Sequence, residues 1–336
     1  MTERDGGTAG RQRTGDRRTL RPEGGLETPG AGAAVPSRRW HLRFKGLKRF
    51  LRFWSLRLVF LPLAVLPPRP ARLLGSGLGE VAHWCLPGLR RRARRHLRLA
   101  FPDWTEAQVR RVARAVPRWV GRTGADFLHL GARSRRALLA RIAAEGREHW
   151  EAAASSGRGI VAVTGHFGNW ELLGAWLATL GREVTVLYHP FPEGRLDRFV
   201  VAQRSRAGVR GLPAERRGAA AIRALRRGGV LGILIDRVPR GTGVADRFFG
   251  RECRTAEGPA RLALASGAWI LPVMLREGRG GYVARFEPPL EVRGEADVEA
   301  VSRRLTGILE GWIRESPEQW PWFEDRWKIR SPRERN

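Results

Sequence analysis

The stretch 161-VAVTGHFGNWELLGAWLA-178 decides how the chain is read. An apolar run ends in Gly165, His166, Phe167, Gly168 and Asn169, and an apolar pattern of helical spacing resumes around Glu171. A single helix through all of it would set His166 and Glu171 roughly 140° apart around the axis, too far to cooperate. A strand over 159–164, a tight turn at Gly165 and Gly168, and a helix capped near Asn169 bring them closer. His166 then stands in the loop at the carboxyl end of a strand, where open α/β sheets place their ligands. Glu171 falls in the first helical turn, with its carboxylate able to reach back to the imidazole. A carboxylate on one ring nitrogen fixes the tautomer and raises the basicity of the other, which makes a general base. Spacing alone leaves the plainer alternative open: a polar loop histidine and a carboxylate that favours a helix N-terminus.

Outward from this point the texture is α/β. Apolar runs at 159–164, 184–188, 230–235 and 268–275 alternate with helical patterns near 169–180, 195–207, 216–227 and 257–266. That alternation predicts a mainly parallel central sheet with helices on both faces. The segment 282–290 reads as a later antiparallel strand, and a last helix covers roughly 297–315. Upstream, 89–101 and 105–120 carry arginine-rich helical patterns, and helical character is expected to continue to about Trp150.

Residues 1–38 hold almost no large apolar side chain and read as a disordered tail. In 40-WHLRFKGLKRFLRFWSLRLVFLPLAVLPPRP-70, Leu47, Phe50, Leu51, Trp54 and Leu58 share one helical face and Lys45, Lys48, Arg49 and Arg52 another. Such a basic amphipathic pattern lies in a membrane interface, or packs as a core helix with a solvated basic face. The uncharged run 58–68 is short of the about 20 apolar residues a span needs. Three regions follow: a tail over 1–38, a helical membrane-associating and packing region over 39–150, and an α/β core over 151–330.

The chain has 336 residues, enough for a sizeable core, with 62 Lys+Arg against 33 Asp+Glu and a formal charge of +29. Arginine dominates the excess and suits anionic partners: nucleic acid, an anionic membrane or an acidic protein. No nucleic-acid motif accompanies it, so a nucleic-acid-binding protein is the weaker alternative. Cys85 and Cys253 make neither a disulfide framework nor a zinc cluster, and no ligand-spaced cluster calls for a metal. Without G-x4-G-K-[ST] no nucleotide site is implied, and no cofactor is expected.

Several stretches in order carry a resemblance. GHFGNWELLG is similar to the H-x4-D/E motif of the bacterial late acyltransferases of lipid A synthesis, the lauroyl/myristoyl transferase family. The stretches 96-HLRLAFPDWTEAQVRRVAR-114, 222-IRALRRGGVLGILIDR-237, 248-FFGRECRTAEGPARLALASGAWILPV-273 and 317-PEQWPWFEDRWK-328 resemble that family too. The resemblance spans about residues 42–330. It implies a glycerolipid-acyltransferase-like fold and transfer of an acyl group from a thioester, on acyl carrier protein, to a hydroxyl of a membrane glycolipid. It also implies work at the cytoplasmic face of the inner membrane, against an anionic inner leaflet. On that resemblance His166 deprotonates the acceptor hydroxyl and Glu171 orients it. Acylation of another glycolipid, such as a phosphatidylinositol mannoside, is the alternative acceptor chemistry.

Further candidates stand around this pair. Asp236 ends a strand and, with Arg237, replaces the Asp-Gln or Asp-His common in the family; 188-YHP-190 departs from it as well. Both changes bear on acceptor recognition. Asn169, Arg204, Arg206, Asp236, Arg237, Phe249 and Thr255 are taken as substrate-binding candidates. For Arg204 and Arg206 a solvated basic helix face is the alternative, for Phe249 packing in a loop, and for Thr255 a helix cap. Trp320, Trp322 and Trp327 fit either a lipid interface or the core.

Overall fold

The computed structural model describes residues 61–327, apart from 133, 215–217 and 238–242. The tail over 1–38 and most of the basic amphipathic stretch lie outside the described residues.

Residues 61–65 are helical, and three helices follow: α1 (Pro68–Cys85), α2 (Pro87–Ala100) and α3 (Glu106–His129). Proline in the first turn opens α1 and α2, where its missing N–H costs nothing. A capping box opens α3: Gln108 N–H donates to Thr105 Oγ1 at 3.3 Å and Thr105 N–H to Gln108 Oε1 at 2.7 Å. Helices α1 and α3 meet backbone to backbone. A Cβ on Gly75 would lie 2.3 Å from the Gly121 carbonyl oxygen, one on Gly121 1.9 Å from that of Gly75, and one on Gly79 2.0 Å from that of Pro117. Pro117 sits inside α3 and cannot donate to the carbonyl of Ala113 four residues back. The His83 ring of α1 supplies a hydrogen bond there.

The α/β part follows as α4 (Arg135–Leu139), β1 (Ile142–Glu145), α5 (Arg147–Ser155), β2 (Ile160–Thr164), α6 (Trp170–Leu177), β3 (Val184–Tyr188) and α7 (Gly194–Arg206). After these come β4 (Val209–Pro213), α8 (Gly218–Arg226), β5 (Val230–Leu234), β6 (Val244–Phe248), β7 (Arg251–Thr255), α9 (Gly258–Ser266), β8 (Trp269–Gly278), β9 (Gly281–Phe286) and α10 (Glu295–Glu315). Seven strands form one sheet in the order β1-β9-β8-β2-β5-β3-β4. Every neighbour pair is parallel except β8 with β9. The mainly parallel sheet expected from the alternation is therefore present, and the strand expected in 282–290 runs antiparallel to β8 and parallel to β1. Its ladder stops at Phe286, before Pro288 and Pro289, and a single bridge from Ile270 to Leu290 continues the contact.

Strand β2 occupies the middle, and all five of its residues are buried. Ile160 and Ala162 pack on one face with Leu172, Leu177 and Trp150; Val161 and Val163 pack on the other with Leu225, Ala260, Ala263 and Leu309. Burial on both faces is why this strand reads as a continuous apolar run without alternation.

Three elements differ from expectation. The helical character expected to Trp150 is interrupted by β1, which pairs with β9 through Ile142–Tyr282 to Glu145–Arg285. Its sequence, IAAE, favours helix locally, and the available sheet edge decides otherwise. Strand β4 begins just after Gly208, whose φ of 82° ends α7, inside a stretch read only as a basic helix face. Strands β6 and β7 form a separate two-stranded hairpin whose turn residues, Phe249 and Gly250, have φ of 52° and 70°. A left-handed Phe costs roughly 1 kcal/mol and hides the turn from a search for Asn-Gly or Gly-Gly.

Candidate active site

The site stands at the carboxyl ends of two adjacent parallel strands. In the β2–β5 ladder Thr164 pairs with Leu234, and the Ile235 N–H donates to the Thr164 carbonyl at 3.0 Å. His166 and Asp236 each lie two residues beyond that last rung. Equal offsets from a parallel register bring them side by side. His166 Nδ1 lies 2.8 Å from Asp236 Oδ1, and the His166 backbone N–H donates to Asp236 Oδ2 at 2.9 Å. Trp320 Nε1–H adds a third donor to Oδ2 at 3.0 Å.

Space is tight at Gly165: a Cβ there would meet Leu309 Cδ1 at 2.8 Å, so the leucine side chain would have to shift, and Asp236 Cγ at 3.4 Å. Gly168 has φ of 60°, and a Cβ there would lie 1.9 Å from the Leu275 carbonyl oxygen. The turn is pinned by Gly168 N–H to the Gln319 carbonyl at 2.9 Å and Asn169 N–H to that of Leu275 at 2.8 Å. Those two N–H groups, like that of His166, are committed within the fold and do not form an oxyanion hole.

Asp236 has a side-chain exposure of 3%, against 22% for His166. Burial pushes the Asp236 carboxyl up. The His166 charge, the two His166 donors and Trp320 outweigh it and hold the group down to about 2. Asp236 is thus a carboxylate at neutral pH. It accepts the Nδ1 proton and leaves the Nε2 lone pair of the half-exposed imidazole for a substrate. The Trp170 ring lies edge-on to the imidazole, with ring centroids 5.1 Å apart.

This corrects the expected pairing. The carboxylate on the imidazole belongs to Asp236, not to Glu171. Glu171 is held by Arg204 in a two-pronged ion pair, Nε to Oε2 at 2.9 Å and Nη2 to Oε1 at 2.6 Å, with both side chains 14% exposed. Arg204 is pushed up from its ordinary value: burial acts against the charge, and the Glu171 carboxylate overcomes it. The reason is geometric. Glu171 projects from the first turn of α6 towards α7, whereas the strand register delivers Asp236 directly to the ring.

The other expected site residues divide. Asn169 is buried and caps α6, accepting the Leu172 N–H on Oδ1 at 3.0 Å and donating Nδ2–H to Asp126 Oδ2 at 3.0 Å. Its Oδ1 and Nδ2 are both engaged inside the fold. Thr255 closes β7 and precedes the helix instead of capping it. It is buried, donates to Asp246 Oδ2 and shares a hydrogen bond with Thr306 Oγ1, each at 2.8 Å. Phe249 is also buried, packed edge-on to Phe101, Phe248 and Trp322, which puts it in the core. Arg206 is exposed at the end of α7, and Arg237 is exposed and 3.5 Å from Glu324. Trp320 and Trp322 are core residues. Trp320, read from the sequence as a lipid-interface or core residue, also donates to Asp236; the signal lay in the quoted PEQWPWFEDRW stretch, but nothing local ties it to a strand end at residue 236.

Beneath the site runs a second polar cluster. Arg72 of α1 donates to Asp126, Tyr282 and Glu277, Tyr282 donates to Asp126, and Arg122 Nε donates to Glu277 Oε2 at 2.9 Å. Through Asn169 this cluster ties the helical region to the first turn of α6. Among the described residues no group of His, Cys, Asp and Glu is arranged to hold a metal ion, and no helix is long and apolar enough to cross a membrane.

The site is a strand-end histidine on a buried carboxylate in an α/β protein. The model of the bacterial lipid A biosynthesis acyltransferases matches residues 38–329, and the chain belongs to that family. It is 32% identical over 188 residues to a phosphatidylinositol mannoside acyltransferase of Mycobacterium tuberculosis H37Rv, a match covering 54% of this chain and 58% of that protein. It is 26% identical over 279 residues to a lipid A biosynthesis acyltransferase of Haemophilus influenzae, covering 81% and 87%. With the lipid A biosynthesis lauroyltransferase of Escherichia coli K12 the identity is 28% over 298 residues, covering 83% and 93%.

Proposed function

We propose that the protein moves a fatty acyl group from an acyl thioester, carried on acyl carrier protein, to a hydroxyl of a lipid A precursor. The carrying observation is His166 Nδ1 on the buried Asp236 carboxylate, in a chain of this family. His166 Nε2 takes the hydroxyl proton as the oxygen attacks the thioester carbonyl. Asp236 holds the ring and stabilises the imidazolium. Collapse of the tetrahedral intermediate forms the ester and breaks the C–S bond, and the imidazolium returns its proton to the leaving thiolate. Glu171 acts as a positioning residue, holding Arg204 at the rim between α6 and α7, where an anionic acceptor group would sit. The enzyme works at the cytoplasmic face of the inner membrane, with the basic stretch 42–66 as its attachment. A mannoside acceptor is favoured by the 32% match to the mycobacterial protein. The coverage of the lipid A relatives, 87% and 93% of their lengths, supports the lipid A precursor as the first choice.

The test is His166→Ala, assayed with acyl carrier protein thioesters and each acceptor. Transfer should fall by at least about 10²-fold in a protein that still folds, with the thermal midpoint lowered because the buried Asp236 carboxylate loses its imidazole donor. Transfer within a few-fold of wild type would remove His166 from the chemistry.

A further inference from the structure

Away from His166, the helical region holds a cationic groove beside an apolar stripe. The groove has a volume of about 740 Å³ and lies between the end of α1, α2 and the first half of α3. Its walls carry Arg90, Arg94, Arg110, Arg111, Arg114 and Arg118, with Trp84 at one end. Two carboxylates serve these six guanidinium groups. Glu80 pairs with Arg114 and Arg118, and Glu106 with Arg94, Arg110 and, outside the groove, Arg98. The lining therefore keeps a net positive charge. Trp84 stays fixed at the mouth by donating Nε1–H to Glu80 at 3.0 Å, and Arg90 and Arg114 lie over its ring at 5.6 and 5.9 Å.

The stripe belongs to α1. Ala71, Arg72, Gly75 and Gly79 are the buried face of this helix, packed on α3. On the opposite face Leu73, Val81 and Trp84 are 76%, 58% and 61% exposed, one to three turns apart. The stripe reaches Trp84, which also lines the groove, and Leu86 and Leu89 follow in the sequence, 47% and 42% exposed.

From this juxtaposition we infer that the α1–α3 surface is a lipid-binding face. The groove takes the phosphate of an anionic glycerophospholipid, and the Leu73–Trp84 stripe enters the boundary between headgroups and acyl chains. Charge alone would suit an acidic protein equally well, but an acidic protein surface gives no reason for bare Leu and Val beside the arginines. A phospholipid presents anion and hydrocarbon side by side, as this surface requires. The face is built from residues outside 42–66 in the sequence and would orient the enzyme on the bilayer. Binding to vesicles without acyl donor or acceptor tests it independently of acyl transfer.

Cys85, exposed beside Trp84, is a local reporter. In the full-length Cys253→Ser protein, a water-soluble maleimide should modify Cys85 at least about tenfold more slowly with phosphatidylcholine–phosphatidylglycerol vesicles than with phosphatidylcholine alone. Arg90→Gln, Arg110→Gln and Arg111→Gln together leave both glutamates most of their partners. At a factor of about 5 per arginine, they should weaken binding to the anionic vesicles by roughly 100-fold and restore fast modification. Leu73→Ser with Val81→Ser should restore it too. A local reading matters because the 42–66 stretch can keep the protein on the vesicle. The inference fails if Cys85 stays fully reactive on anionic vesicles, or if both sets of variants remain protected. It fails equally if inorganic phosphate alone protects as well as the vesicles do. Variants that keep vesicle protection and lose affinity for acyl carrier protein would make the groove a protein dock instead.

Discussion

Two carboxylates near the imidazole have different partners, and their removal should be distinguishable. Asp236→Asn leaves volume and one acceptor but withdraws the charge that orients His166 and stabilises the imidazolium. kcat should fall by about 10²- to 10⁴-fold, and the pH profile of transfer should move with it. Glu171→Gln strands a buried Arg204. It should lower the thermal midpoint and raise KM for the acceptor while the pH profile keeps its shape. A pH profile displaced by Glu171→Gln and untouched by Asp236→Asn would reverse the two roles. The depressed Asp236 value also gives a stability signature. Its folded pKa, about 2, lies below the ordinary 3.8, so its contribution is complete above pH 4 and is lost as the pH falls towards 2. At about 1.4 kcal/mol per unit this is on the order of 2 kcal/mol, visible as the difference between wild type and Asp236→Asn in chemical denaturation across that window. The histidine was legible in the sequence because strand, glycine turn and cap announce its loop. Its partner was not, because 70 residues separate them. Without knowing that β5 lies beside β2, the nearer Glu171 is the natural choice.

At the scale of elements, the glycines of α3 offer an internal control. Gly121 touches the Gly75 carbonyl of α1, while a Cβ at Gly124, one turn on, meets nothing within 4 Å. Gly121→Ala must push the two helices apart and should destabilise by about 1–3 kcal/mol. Gly124→Ala should stabilise by about 0.5–1 kcal/mol through helix propensity alone. Equal responses in thermal denaturation would mean that α1 and α3 do not pack backbone to backbone. Elements whose reason is local were readable: the buried runs of β2, β3, β5 and β8, the helices between them, and the helical pattern over 105–120 that opens α3. Elements whose reason is tertiary were not. The IAAE strand forms only because β9 offers an edge, and the β6–β7 hairpin turns on a Phe held in a left-handed conformation by its packing. Thr255 looked like a helix cap for the same reason, since the strand ahead of the helix could not be seen.

Across the whole molecule the site is assembled from three distant parts: the β2 loop, the end of β5 and the segment after α10. Trp320 is the contribution of the last. Trp320→Phe keeps most of the buried ring but removes one of three donors to Asp236, and a hydrogen bond to a charged group is worth about 1.5–3 kcal/mol. The fold should survive with a lowered thermal midpoint, kcat should drop about tenfold, and the acid limb of the stability curve should move to higher pH. An unchanged acid limb would show that Trp320 only fills space.

The dependence of residue 236 on residue 320 also orders events in time. During synthesis the chain acquires its histidine and then its aspartate, and 84 further residues pass before the indole that completes the aspartate's hydrogen bonding exists. At ribosomal rates of about 5–20 residues per second that interval is roughly 4–17 s. A nascent chain can pair β2 with β5 and bring imidazole to carboxylate while the carboxylate still lacks its third donor. Catalytic competence is thus among the last properties the growing polypeptide gains, well after its central strands are able to form.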